Sequence, residues 1–254
     1  MQVLINMAIA GSLIMTAATA MTIGSASEEV SGGERCITSD ATPTHQTGSF
    51  PNANSPNRVV AQSITYCVDA TPDLTGRITE RTNASGISVS GILFRPGTAD
   101  WYDGSSPRGF SRDPSSGWRL EGMGSADALG IDAAFGHPDN RGLYHYHAAS
   151  PAFLDGTEGT LIGYAADGFE IHYVGDAAQS SWRLKSGKRP TAPFGTYDGA
   201  FEQDWENVAG SGNLDQCNGA MTSAGTYAYF ATDTFPFFPR CFKGTVSSDF
   251  LGRP

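Results

Sequence analysis

The segment Gly142-Leu143-Tyr144-His145-Tyr146-His147 holds the residues best suited to chemistry in this chain. Only five histidines are present, and His137, His145 and His147 fall within eleven residues. If the segment is a strand, side chains alternate, so His145 and His147 share one face while Tyr144 and Tyr146 share the other. Residues two apart on a strand lie about 6.5–7 Å from one another. Two imidazoles at that spacing can lean onto one metal ion at about 2.0–2.1 Å per bond, and shared ligation requires the nitrogens to converge within about 4 Å. The turn-forming run Gly136-His137-Pro138-Asp139-Asn140-Arg141-Gly142 would fold His137 back as a third ligand. Three histidines with an open fourth position suit catalytic zinc, and imidazole also suits copper. The competing interpretation is that they are satisfied polar residues on a half-exposed strand.

Carboxylates that could serve such a site as a general base are Asp167, Glu170 and Asp215. Asp167-Gly168 reads as a tight turn, after which Glu170 and His172 would share a strand face. Asp215 lies in Leu214-Asp215-Gln216-Cys217-Asn218-Gly219, where Asp215 and Asn218 offer oxygen ligands or partners for a histidine. Asp132 and Asp139 are weaker candidates of the same kind. The sequence contains no G-x-S-x-G elbow, H-E-x-x-H, Walker A or dinucleotide fingerprint.

The elements that must position these residues read as β-strands. Short apolar runs at 59–68, 87–95, 143–148, 161–165, 169–174 and 226–231 are punctuated by a composition with 31 Gly and 14 Pro. One helix is predicted, from Ser125 to Phe135. The expected fold is mostly β, a sandwich-like single domain with long loops and at most one or two short helices. Gly142-Leu-Tyr-His-Tyr-His-Ala148 also resembles Gly225-Thr-Tyr-Ala-Tyr-Phe-Ala231. Either both strands pack alternating tyrosines, or the chain holds a pseudo-repeat whose second copy carries Ala228 and Phe230 in place of the histidines.

Residues 1–26 read as a signal peptide, with residues 3–23 apolar or small and no charged side chain before Glu28. Residues 27–58, rich in Ser, Thr, Pro and Asn, are expected to form an extended arm, and 59–254 the β-rich domain. Four cysteines in an exported chain imply two disulfides, and Cys36–Cys67 with Cys217–Cys241 closes the shorter loops. The net charge of −10 and the lack of a basic run exclude nucleic acid as a partner. The expected partners are a metal ion or a small-molecule ligand, with no membrane after signal cleavage, in a secreted or periplasmic location.

At Tyr144-His145-Tyr146-His147 the chain resembles the YHYH domain family of exported bacterial proteins. Gly136-His137-Pro138, Asp167-Gly168-Phe169, the Asp215 segment and Phe235-Pro236-Phe237 leading to Cys241-Phe242-Lys243-Gly244 follow the family order. The resemblance implies the location of a site but no settled reaction. Two departures are informative. Members often carry a histidine in the second tyrosine-rich strand, where this chain has Ala228 and Phe230. The Asp-Gly-Phe motif usually continues with Pro-Ile-Tyr, and here it continues with Glu170-Ile171-His172. His172 therefore ranks below the other three as a ligand, whereas Asp167 and Asp215 lie within matched motifs. Together these readings point to an exported zinc- or copper-binding protein, with a metal-dependent hydrolase and a metal-free structural or adhesive domain as alternatives.

Overall fold

A computed structural model describes residues 25–80 and 82–252. Most of the predicted signal peptide lies outside the described residues. The fold is mostly β, with several sheets, two short α-helices and long connections. Its centre is an eight-stranded sheet, and only its strands are numbered here: β1 (Gly86–Ser88), β2 (Leu93–Phe94), β3 (Gly136–Pro138), β4 (Tyr144–Tyr146), β5 (Leu161–Ala165), β6 (Glu170–Tyr173), β7 (Gly219–Met221) and β8 (Tyr227–Ala231). They lie in the order β3-β4-β2-β1-β5-β6-β8-β7. The strands are short because Gly, Pro or a turn ends nearly every apolar run.

That order is a two-fold repeat. The central antiparallel pair β1–β5 aligns Gly163 with Ser88, Tyr164 with Ile87 and Ala165 with Gly86, so the Ile87–Tyr164 pair sits on a pseudo-two-fold axis. On each side a hairpin follows: β1 with β2 aligns Gly86 and Phe94, and β5 with β6 aligns Gly163 and Ile171. Each hairpin then pairs in parallel with a tyrosine strand, Phe94 with Tyr146 and Ile171 with Tyr229. Each tyrosine strand closes on its own preceding strand, His137 opposite His145 and Ala220 opposite Ala228.

The turns that start β3 and β7 repeat the same set of hydrogen bonds. Asp132 Oδ1 accepts from the backbone of Ala134 (2.9 Å) and Gly136 (3.2 Å) and from the Tyr144 hydroxyl (2.8 Å). Asp215 Oδ1 accepts from the backbone of Cys217 (2.9 Å) and Gly219 (3.0 Å), and its Oδ2 from the Tyr227 hydroxyl (2.9 Å). Phe135 and Asn218 take the same left-handed conformation, at φ 60° and 64°. Their carbonyls accept from His147 N (2.7 Å) and Phe230 N (2.8 Å). The pseudo-repeat suggested by seven residues is thus a duplication of a four-stranded unit.

The tyrosine face packs inward. Tyr144, Tyr146 and Tyr229 join Phe94, Phe238, Ile171 and Ile87 in one core, each essentially without solvent contact. Offset and edge-on aromatic contacts run through it, with Phe94 stacked on Phe238 at 4.3 Å. The helix predicted over Ser125 to Phe135 is a single turn, α1 (Ala126–Leu129). It stops because Gly130 turns left-handed at φ 65°, and the Ser125 side chain bonds the Ala200 carbonyl rather than capping the helix. A second helix, α2 (Pro151–Asp155), follows Ser150, whose hydroxyl accepts from Phe153 N at 3.1 Å.

The stretch read as an extended arm begins as a hairpin, Ala26–Ser31 with Glu34–Ser39, whose second strand pairs with Ile64–Asp69. The remainder lies across the domain: Gly48 N donates to Asp132, Asn52 to the Gly130 carbonyl and Asn54 to the Asp127 carbonyl. Both disulfides pair as expected, Cys36 with Cys67 and Cys217 with Cys241.

Because Asp132 and Asp215 do equivalent work, Asp132→Ala and Asp215→Ala should each lower stability by about 2–4 kcal/mol, since each removes several charge-assisted hydrogen bonds. Urea denaturation with unchanged m would show it. A loss below about 0.5 kcal/mol, the scale of a neutral surface change, would contradict the role assigned to these turns.

Candidate metal centre

The β3–β4 hairpin builds the site. Asp139 Oδ1 accepts from Arg141 N (2.8 Å) and Leu143 N (3.0 Å), holding the turn, and Gly142 supplies its left-handed residue at φ 85°. His137 is then the direct cross-strand partner of His145, and His147 follows two residues later on the same face. The three rings meet edge-on or tilted with centroids 4.7–5.0 Å apart. One ring nitrogen from each residue lies within 4.8 Å of the others. His137 Nε2 and His147 Nε2 are 3.3 Å apart, which is roughly the separation of two nitrogens on one tetrahedral ion with bonds of about 2.0–2.1 Å. The overall spread exceeds the roughly 4 Å that shared ligation allows, so an ion would draw the rings closer by a small rotation. The triad is thus a set of three residues able to hold a metal ion.

The rings are oriented from behind. His137 Nδ1 donates to the Leu129 carbonyl at 2.8 Å, and His145 Nδ1 to the Leu143 carbonyl at 3.2 Å. His147 Nδ1 lies against the Pro96 carbonyl without the alignment of a full hydrogen bond. For His137 and His145 these contacts place the proton on Nδ1 and leave Nε2 free to bind a metal. Burial is the main cause that lowers the proton affinity of all three; for His145 and His147 the neighbouring imidazoles and Arg95 add to it, while for His137 the Leu129 carbonyl and the nearby carboxylates oppose it. Neutral rings are the state a metal needs.

The histidines open on a cleft of about 1140 Å³. Asp100, Asp139, Arg95, Arg240 and Glu202 also line it. Arg95 bonds Asp139 Oδ2 at 2.8 Å. Burial alone would raise the Asp139 carboxyl, but the Arg95 guanidinium and the backbone N–H groups of Arg141 and Leu143 together outweigh it and hold the group below the usual range. Arg240 pairs with the buried Glu121 and with Glu202. Burial pushes the Glu121 carboxyl up, against the pull of Arg240.

The three carboxylates nominated as general bases do not line this cleft. Asp167 is buried beneath the other half of the sheet, where Oδ2 accepts from the Tyr229 hydroxyl and Gly244 N, both at 2.8 Å. Glu170 is exposed and pairs with His172 at 2.9 Å. Asp215 holds the turn before β7 and pairs with Lys243. Distance in the fold separates them from the histidines, because all three belong to the second copy of the repeat. Arg95, which lines the cleft, and Gly122, which packs behind His147, are the residues that sequence reasoning missed. Arg95 follows a two-residue strand and carries no motif; only its place beside β4 reveals it. Gly122 packs against His147, and a Cβ there would stand 2.2 Å from Nδ1.

A family model described as YHYH protein matches residues 65–244. No curated protein and no solved structure matches the chain. The match takes in the central sheet, the histidine hairpin and the Asp167, Asp215 and Cys241 segments, and the chain belongs to the YHYH family.

Proposed function

We propose that this is an exported metal-binding protein whose His137, His145 and His147 hold one zinc or copper ion. The observation that carries the reading is the pair of Nε2 atoms 3.3 Å apart on His137 and His147. His137 Nδ1 donates to the Leu129 carbonyl, so its Nε2 presents a lone pair toward His147. A metal ion held by both rings would take up the Nε2 lone pairs at the separation that bonds of about 2.0–2.1 Å give. Gly122 supports the same reading, because its missing side chain lets His147 reach this position. Export is supported by two disulfides in a small chain. Among the described residues no helix is long and apolar enough to cross a membrane.

The open cleft favours a second reading, metal-assisted hydrolysis at the same triad. Three protein ligands leave a position for water, whose pKa a zinc ion lowers to about 7. Asp100 and Asp139 line the cleft, and the charge of each is felt by His137. They are the better-placed carboxylates for a proton-transfer role than Asp167, Glu170 or Asp215.

Protein purified without a polyhistidine tag is expected to carry about one equivalent of metal, and H145A/H147A less than roughly a tenth of that. Elemental analysis decides it; metal well below one equivalent after reconstitution would remove the proposal. With ion at 100 to 1,000 times Kd, reconstitution should stabilise the native protein by about 2.7–4.1 kcal/mol and leave the double variant unmoved. Gly122→Ala should fold yet lose metal affinity by roughly 10–100-fold, the cost typical of disturbing a ligand's support. Equal affinity in a competition titration would show that His147 is not a ligand. Cobalt(II)-substituted protein should change its visible bands with a midpoint near about pH 7 if water completes the coordination. Invariant bands between pH 6 and 9 would argue for a closed cage and against hydrolysis.

A further inference from the structure

The chain carries 16 basic and 26 acidic residues, yet the cleft beside the histidines has the opposite balance. Six cationic side chains line it, Arg95, Arg108, Arg112, Arg119, Lys185 and Arg240, against four acidic ones, Glu80, Asp100, Asp139 and Glu202. A cationic cleft in an acidic protein concentrates anions by field focusing. This distribution says what charge the ligand has but not where it docks.

Arg95 gives the docking point. Its backbone N donates to the Tyr146 carbonyl at 2.8 Å, so it continues β2 alongside β4. Phe94 contacts Tyr146 on the core face, and alternation therefore puts Arg95 on the histidine face. The residue is 7% exposed. Nη1 is anchored on Asp139, which the hairpin turn itself holds. Nε and Nη2 have no hydrogen-bond partner although both are buried. These two atoms form one edge of the guanidinium, the same edge that Arg189 uses to grip both oxygens of Asp204. Such a fork matches two oxygens of one carboxylate or phosphate. Arg240, by contrast, is already engaged by Glu121, Glu202 and the Pro96 carbonyl.

We infer that the cleft binds a small oxyanion, a carboxylate or phosphoryl group, gripped by the Nε–Nη2 edge of Arg95 beside the histidine triad. The inference deepens the metal-binding reading and rests on it for the identity of the neighbouring group, but the arginine fork recognises the anion by itself. An anion there would also offset the positive charge of Arg95 and a bound ion, leaving Asp139 to balance only part of it.

The test is calorimetric titration of the reconstituted, untagged protein with inorganic phosphate and, separately, malonate, at low ionic strength, with metal content measured on each sample. The native protein is expected to bind at least one of the two with a dissociation constant in the millimolar range or tighter. The stronger of the two names the oxyanion class. Arg95→Lys keeps the charge but not the fork, and should weaken binding by 10-fold or more. Arg77→Gln, which removes an exposed charge elsewhere, should change it less than about 2-fold. Loss of metal with retained, Arg95-dependent anion binding would defeat the metal reading and leave this one standing. Full metal with no anion binding, or with binding unaltered in R95K, would overturn this inference alone. If R95K does not fold, the Arg95 Nε–H resonance of native protein decides: a shift on adding the anion supports the fork, and an unmoved resonance overturns it.

Discussion

Asp132 is the carboxylate on which the histidine site depends. It collects donors from the N-terminal stretch at Gly48, from its own turn at Ala134 and Gly136, and from the Tyr144 hydroxyl on the adjacent strand β4. Fixing Gly136 fixes where β3 begins, and fixing Tyr144 fixes which face of β4 turns inward. A slip of one residue would exchange the tyrosines and the histidines between core and cleft. The same bonds that bury Tyr144 therefore aim His145 and His147 outward. Burial and the Asp132 charge push the Tyr144 hydroxyl far above its ordinary value, so it stays a donor throughout the physiological range.

The duplicated unit shows how little separates a site from a scaffold. Asp215, Tyr227, Tyr229 and the left-handed Asn218 reproduce the first copy's framework. What differs is three positions on one face: His137, His145 and His147 stand where the second copy has Ala220, Ala228 and Phe230. The framework is stabilised by carboxylate–tyrosine bonds and core packing, neither of which needs the histidines. The face that carries them is thus free to vary without loss of the fold, and in the second copy Phe230 instead packs beside His172.

Sequence reasoning read the histidine face correctly because strand alternation is a local rule, and His137 followed from a turn whose signals lie within seven residues. The mostly β fold and both disulfides were legible for similar reasons: alternating runs, dense Gly and Pro, and the shorter closed loops. The carboxylates Asp167, Glu170 and Asp215 lie away from the histidine cleft, because proximity in a motif is not proximity in space. Asp167 and Asp215 serve the second copy, and only the sheet order puts that copy on the far side of β1 and β5. The helix expected from Ser125 to Phe135 is shorter because the left-handed Gly130 ends it before Ala133 can join the face of Ala126 and Leu129. Arg95 had no local signal at all, since its neighbours Asp139, His145 and His147 come from a hairpin beginning some forty residues later.

Charge balance links the two levels of the site. Burial disfavours the protonated forms of all three histidines, and for His145 and His147 the neighbouring His137 adds to it. Arg95 is permanently charged and nearly buried beside them, and Asp139 is its single bonded carboxylate. Adding a divalent ion to three neutral ligands would leave this corner of the cleft strongly positive in a region of low dielectric. Such an excess is costly unless an anion shares it. None of the four cleft carboxylates bonds the open edge of Arg95, and Glu202 is occupied by Arg240. The compensating negative charge must then come from solvent or from a ligand. With a metal ion on the triad and the Arg95 fork on the same sheet face, a ligand that engages both would supply that charge, and the cleft would then select an anion although the protein as a whole is acidic.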